Sequence, residues 1–477
     1  LTEITPIPTM LKWINCIALT LLLSSLLASA QEGPFFGTGV KVGEVDTNSA
    51  IVWVRLTVAP KADFNLLPIF TKGLTSDIKD SGSMPSDVAP GAPGEYRVHH
   101  WLESKGQKSR RSSNWARVSS INDYIGQLSL TDLKSGESYV YQVEARQAGS
   151  SKTASTTNGK FKTAPVKGAK GPIRFIVTTC QAIRSIDSGE KGHSTYGQML
   201  DFKPDFLVHT GDIVYYDKAP LAKSVAQARA KWNLMFSYSY NQTFHQNVTS
   251  YFMKDDHDTL KNDCWLGQTY GDLTFEEGLD IFREQVPMGK ETYRTYRWGK
   301  DVQIWMTENR DFRSANTDSD GPNKTILGEK QKAWLQKTIL ASDATYKFVI
   351  SPGPLVGPDK FGKKDNHANE VFAHEGQELR DFLSQQANTF VICGDRHWQY
   401  CSKDPNTGLL ELGCGAINDQ HDYGGNSGYF SDFHKYFSGK GGYLGITVEN
   451  GNAQAEWYAS AQKGAQLTVQ HTQNLGE

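Results

Sequence analysis

The chain has 477 residues, of which 38% are hydrophobic, and it sets 50 Lys and Arg against 52 Asp and Glu. Such a balanced charge gives no electrostatic ground for a nucleic acid or a membrane partner, and the apolar content excludes a disordered chain. The length exceeds what one hydrophobic core usually serves, so two domains are expected.

At the N-terminus, Lys12 precedes an apolar run from Ile14 to Leu27, and Ala28-Ser29-Ala30 follows as a small-x-small cleavage site. The run is short for a membrane span. Residues 1–30 therefore read as an export signal with an upstream extension before Met10, and the mature chain is expected to be secreted or periplasmic. Cys16 leaves with that segment. Cys180, Cys264, Cys393, Cys401 and Cys414 remain, an odd set in which at least one thiol stays out of a disulfide; Cys401 and Cys414 are candidates for a pair.

From residue 31 to about 165 the pattern is all-β. Ala50–Leu56 and Tyr139–Val143 alternate and are rich in β-formers. Residues 128–139 place leucines, a glycine turn and a tyrosine opening the next strand, a pattern that resembles the tyrosine corner of immunoglobulin-like sandwiches. Residues 72–115, rich in Ser, Gly, Pro and basic residues, read as a long surface loop whose Lys108–Arg111 cluster is a solvated face. A Lys/Gly/Pro linker spans 163–172. Strands and helices then alternate. Strands are expected at Ile173–Thr179, Phe206–Thr210, Tyr251–Lys254, Val302–Thr307, Phe348–Ile350, Phe390–Cys393, Leu409–Leu412 and Tyr443–Val448. Helices are expected from Tyr196 and over Glu329–Ala341. This alternation predicts a layered α/β domain over 171–462, with its chemistry on strand-end loops, and a tail over 463–477.

Five of those loops carry groups able to bind metal: Thr179-Cys180-Gln181, Gly211-Asp212 with Tyr215, Asp255-Asp256-His257-Asp258 with Asn262-Asp263, Glu308-Asn309-Arg310, and Gly394-Asp395-Arg396-His397. One Gly-Asp turn is weak evidence, because such turns are common. Five at strand ends are stronger, because loops at one sheet edge converge. Their carboxylates would repel one another unless cations neutralise them, which points to a two-metal site.

The order of these blocks resembles the calcineurin-like metallophosphoesterase superfamily and, within it, the alkaline phosphatase D family. Cys180 after the first strand, Tyr215 three residues after Asp212, the Asp-Asp-His block, Arg310, and Asp395 with His397 all follow that family's pattern. So does the helix Leu327–Leu335. The resemblance implies a layered metallophosphoesterase β-sandwich flanked by helices, preceded by an immunoglobulin- or fibronectin-III-like sandwich. It also implies one ferric ion with one or two calcium ions, held by Cys180, Asp212, Tyr215, Asp256, Asn262, Asp395 and His397. A thiolate and a phenolate suit iron, the oxygens of Asp256 and Asn262 suit calcium, and Asp212 can bridge.

On this reading a metal-activated hydroxide attacks small organic phosphate monoesters, Arg310 grips the phosphate, and His257 supplies the acid for the leaving alkoxide. The chain is expected to act as a monomer. Two other functions fit the same residues. One is a phospholipase D-like phosphodiesterase on lipid headgroups or nucleotides, its pocket shaped by the aromatic-rich segments 218–247 and 419–437. The other is an inactive exported binding protein. Asp258 stands where the family has Glu, and Glu308-Asn309 where it more often has Asp-Thr. These departures bear on the substrate more than on the reaction.

Overall fold

The computed structural model describes residues 33–67, 82–85, 88–360, 362–421, 432–462 and 464–476. The expected export signal, part of the 72–115 loop and part of the segment 419–437 lie outside these. No helix among the described residues is long and apolar enough to cross a membrane.

Among its described residues the N-terminal part holds eight strands: β1 (Val40–Gly43), β2 (Ala50–Arg55), β3 (Glu95–Leu102), β4 (Arg111–Ser112), β5 (Ala116–Arg117), β6 (Ile125–Leu130), β7 (Ser138–Arg146) and β8 (Ser155–Lys162). One antiparallel sheet has the order β1-β2-β6. The other pairs β3, β7 and β8, with the short β4 and β5 on β3. In β7 every second residue points inward. Tyr139, Tyr141, Val143 and Ala145 thereby meet Val40, Val42, Val52 and Val54 of the first sheet in one core. The Tyr139 hydroxyl oxygen accepts the Lys134 N–H at 2.8 Å, five residues upstream. Part of the expected loop 72–115 is strand instead, namely β3 and the short β4. The alternation of Glu-Tyr-Arg-Val-His-His-Trp-Leu is masked by polar residues that β3 keeps largely buried.

The larger part follows with β9 (Ile173–Thr178), β10 (Phe206–His209), β11 (Thr249–Phe252), a small hairpin β12 (Thr269–Tyr270) and β13 (Leu273–Thr274), β14 (Arg294–Trp298), β15 (Val302–Met306), β16 (Tyr346–Ser351), β17 (Thr389–Cys393), β18 (Gln399–Lys403), β19 (Leu410–Cys414), β20 (His434–Ser438), β21 (Gly442–Glu449), β22 (Asn452–Ala459) and β23 (Thr468–Leu475). Two sheets result, with orders β11-β10-β9-β21-β22-β23 and β14-β15-β16-β17-β19-β18-β20. Their central strands are apolar on both faces because both faces are covered. Phe175 and Val177 meet Phe348 and Ile350 between the sheets. Ile176 and Leu207 pack outward on Tyr196, Met199 and Phe244. Val349 and Val391 pack outward on the helices Gly328–Leu340 and Ala373–Ser384. The layering is helix, sheet, sheet, helix.

Two further expectations are corrected. Tyr443–Val448 does not close the series, since β22 and β23 extend the sheet and β23 pairs along β22 within the segment read as a tail. Cys401 and Cys414 form no pair: Cys401 lies opposite Leu412 in the ladder and Cys414 opposite Gln399, and every described thiol is free.

The N-terminal part is seated tightly on the larger one. Arg294 pairs with Glu44 at 2.7 Å, and the Tyr251 hydroxyl donates to the Val45 carbonyl at 2.5 Å. A β-carbon at Gly43 would lie 2.4 Å from the Ser250 carbonyl oxygen, and one at Gly159 2.1 Å from that of Gln246. Lys41 and Trp53, opposite in register, face the helix Val225–Ser237, and the Lys41 ammonium lies 3.7 Å from the Phe236 ring centroid.

Candidate functional site

Strands β9, β10 and β11 are parallel, as are β15, β16, β17 and β19. Their C-terminal ends carry the five loops, which the packing of the two sheets brings together. At Gly394 a β-carbon would sit 2.3 Å from Thr210 Oγ1 and 2.7 Å from Thr179 Oγ1, so the strand ends of the two sheets meet where only glycine fits. Cys180 (φ 51°), Asp212 (φ 55°) and Asp395 (φ 59°) each turn into the left-handed region just beyond a strand. Such backbone is costly away from glycine, and its recurrence at three acid or thiol positions marks a constrained site.

Donor atoms cluster accordingly. Cys180, Asp212 and His397 bring one each within 4.8 Å of one another; so do Asp212, Asp256 and His257, and so do Asp212, Asp255 and Asp395. Asp212 belongs to all three groups. Its Oδ2 accepts from the Tyr215 hydroxyl at 3.1 Å and from the Cys180 thiol at 3.5 Å, while its Oδ1 is buried with no hydrogen-bond partner. Burial, then the charges of Asp256, Asp255 and Asp258, push the Asp212 carboxyl well above its ordinary pKa. Burial and then Asp212 do the same to the Cys180 thiol and the Tyr215 phenol. Burial and mutual repulsion thus disfavour the charged forms of this carboxylate, thiol and phenol, and bound cations would reverse that by stabilising their negative charge. Soft sulfur with a phenol on one side and hard carboxylates on the other give a donor set able to hold metal ions.

A cavity of about 290 Å³ opens over these donors, lined by Asp212, Tyr215, His257, Asn262, Asp395 and His397. Six of the eight residues expected as ligands or acid are thus placed at its wall; the other two, Cys180 and Asp256, lie buried. His257 is oriented by Asp217, with Nδ1 2.6 Å from Oδ1. Burial alone would lower the His257 pKa, but Asp256 and Asp217 outweigh it and raise it. Asp258 closes a capping box and accepts the Val214 N–H at 2.8 Å, tying the Asp212 loop to the Asp255 loop.

Arg310 does not reach the cavity. Its Nε and Nη2 donate to Asp255 Oδ1 at 2.8 and 2.5 Å, and its Nη1 donates to the Cys264 carbonyl. These bonds tie Arg310 to the acidic loop. The basic groups that do line the cavity are Arg184, Lys218, Lys360 and Lys363. Lys360 and Lys363 follow β16, a sixth strand end that the same reasoning could have singled out. His421, whose Nε2 lies 2.9 Å from the Tyr215 hydroxyl, joins them. The aromatics of 218–247 do not shape the cavity: Trp232, Phe236 and Tyr238 are core, and Phe244 packs beneath the first sheet.

Residues 175–473 match the family model for PhoD-like phosphatase, and residues 22–165 match the model for the N-terminal domain of PhoD-like phosphatases. Alkaline phosphatase D of Bacillus subtilis (strain 168) is 20% identical over 416 residues, which cover 77% of this chain and 65% of that relative's own length. A solved structure of PhoD superposes with a TM-score of 0.71 at 16% identity, covering 92% of this chain and 90% of that one. A purple acid phosphatase from yellow lupin (Lupinus luteus) seeds gives 0.60 at 11% identity, covering 92% and 74%. At these identities the two structures speak for the fold. The family match, in contrast, runs through every strand-end loop that carries the donor groups, and the chain belongs to the PhoD-like phosphatase family.

Proposed function

We propose that this chain is a metal-dependent phosphoric ester hydrolase acting on small phosphate monoesters after export. Its metal ligands on this reading are Cys180, Asp212, Tyr215, Asp256, Asn262, Asp395 and His397, with iron on the sulfur and phenol side and calcium among the carboxylates. The observation that carries the reading is Asp212, which is common to three donor groups and keeps a buried oxygen without a partner. Metal ions of this kind lower the pKa of a water and neutralise phosphoryl charge.

The chain's own residues supply the rest. Asp217 fixes the ring of His257, whose raised pKa keeps a proton ready for the leaving alkoxide. Lys360, at the cavity wall, meets the phosphate charge. Arg310 acts as a positioning residue for Asp255 and, through it, for Asp256. The N-terminal part, residues 31–165, is read as an immunoglobulin-like sandwich; its shared two-sheet core and the Lys134–Tyr139 hydrogen bond support this.

The test is hydrolysis of chromogenic phosphomonoesters and phosphodiesters across about pH 6 to pH 10, together with metal content by elemental analysis. Asp212→Asn is expected to fold, lose bound metal and lose activity by at least about a thousandfold. A diester preference would move the substrate class to phosphodiesters. Full activity in metal-free Asp212→Asn protein would sink the reading.

A further inference from the structure

The N-terminal part contains a second cavity, of about 240 Å³, that shares no residue with the candidate metal site. His100 lies in its wall. The alternation of β3 turns His100 to the same face as the core residues Tyr96, Val98 and Leu102, and its exposure is 8%. Both of its ring nitrogens are buried without a hydrogen-bond partner. Histidines in a core normally satisfy at least one nitrogen, because leaving a buried polar group unpaired costs about 1–3 kcal/mol.

The charges around His100 are predominantly positive. Arg111 is its cross-strand partner in β4, so the two side chains project from the same face at the sheet edge. Lys105 and Lys134 also line the cavity, and Asp132 is its one acidic side chain. Tyr139 also lines the cavity, and its hydroxyl oxygen accepts the Lys134 N–H, so its own proton is not used in that bond. Three cations stand against one carboxylate there. Donors arrive from four separate segments: β3, the turn carrying Lys105, β4, and the loop into β7.

We propose that this cavity is an oxyanion site that takes a phosphate group, with His100 as the buried donor and Lys105, Arg111 and Lys134 as its charge partners. A tetrahedral dianion uses donors arriving from several directions and matches the excess of two charges, whereas a planar carboxylate suits a single guanidinium fork. Part of the Lys108–Arg111 cluster, which by sequence reads as solvated surface, is thus the rim of a pocket. The site is independent of the hydrolase reading: either can fail alone.

The test follows the His100 ring signal by NMR in the full-length protein with isotope-labelled histidine, assigned by its loss in His100→Gln. Inorganic phosphate is titrated first. Methylphosphonate follows as a mimic of an ester that cannot be hydrolysed, with acetate and sodium chloride as controls. A saturable shift with phosphate, weakened several-fold in Arg111→Ala and in Lys105→Ala with unchanged melting temperature, is the expected result. Tighter binding of inorganic phosphate than of methylphosphonate identifies free phosphate as the ligand, and the reverse order identifies a phosphate ester. The proposal is overturned if no saturable shift occurs, if chloride or acetate reproduces it, or if Arg111→Ala binds as the wild type does.

Discussion

Lys231 sits buried in the helix Val225–Ser237, and its ammonium donates to the carbonyl oxygens of Tyr215, of Lys218 at 2.5 Å and of Pro220 at 2.6 Å. The loop so held carries both Tyr215 and Asp217, the partner of His257. Burial, which lowers the lysine pKa to about 7, is tolerated because three acceptors surround the group. Lys231→Met would leave those carbonyls unpaired and release the loop. We expect a loss of about 3 kcal/mol in stability and a fall in bound metal, read by denaturant unfolding and elemental analysis. Unchanged metal content would confine Lys231 to stability. Residues of this kind are hidden from sequence reading, since nothing around Lys231 in its helix distinguishes it from a surface lysine. The same blindness explains Arg310. A strand-end position says where the backbone arrives, but Asp255, which claims the guanidinium, comes from another loop.

At the scale of elements, the strand-end loops were legible because metal-type side chains recur after five buried apolar strands, where one Gly-Asp turn alone would have been too common to read. The closing strands were not. β22 buries Ala453, Ala455, Trp457 and Ala459 on one face, and alanine carries a weak periodic signal. β23 is an edge strand with mostly exposed side chains. Polar anchors between elements are also invisible in one dimension, and Glu375 is the clearest case. It opens the helix Ala373–Ser384 and accepts from the Thr325 hydroxyl at 2.5 Å, the Ile326 N–H at 2.6 Å and His367 Nε2 at 2.9 Å. Burial works to raise its pKa, but these partners more than reverse that and bring it to about 2. A depressed carboxylate contributes stability that is complete above its unfolded pKa and lost as the pH falls through the folded one. Glu375→Gln should therefore cost about 3 kcal/mol at neutral pH. The gap to the wild type should narrow between about pH 4 and pH 2, as followed by urea denaturation; a gap constant with pH would show that the carboxylate charge is not what anchors the helix.

For the molecule as a whole, the seam between the two parts decides how it behaves as one body. Lys41 lies inside that seam, its ammonium against Trp53 and Phe236 and without a hydrogen-bond partner. Ring faces attract a desolvated cation by about 2 kcal/mol, less than the several kcal/mol an unpaired ammonium loses on leaving water. Burial, then the charge of Arg55, accordingly place its pKa well below the ordinary value. Between that lowered pKa and the unfolded one, the unfolded chain holds a proton that the folded chain does not, so stability rises with pH across this window. Lys41→Met is expected to stabilise by about 2 kcal/mol at neutral pH, with the gain shrinking toward about pH 10; thermal unfolding at the two pH values checks both sign and trend. The glycines of the seam carry a different consequence. Because a backbone carbonyl of the larger part occupies the space where Gly43 and Gly159 would bear a side chain, the two parts are not interchangeable modules. A hybrid that grafts a relative's N-terminal part onto this chain inherits a working joint only if the donor also brings glycine at both places, so the pair must be passed on, and engineered, as a single unit.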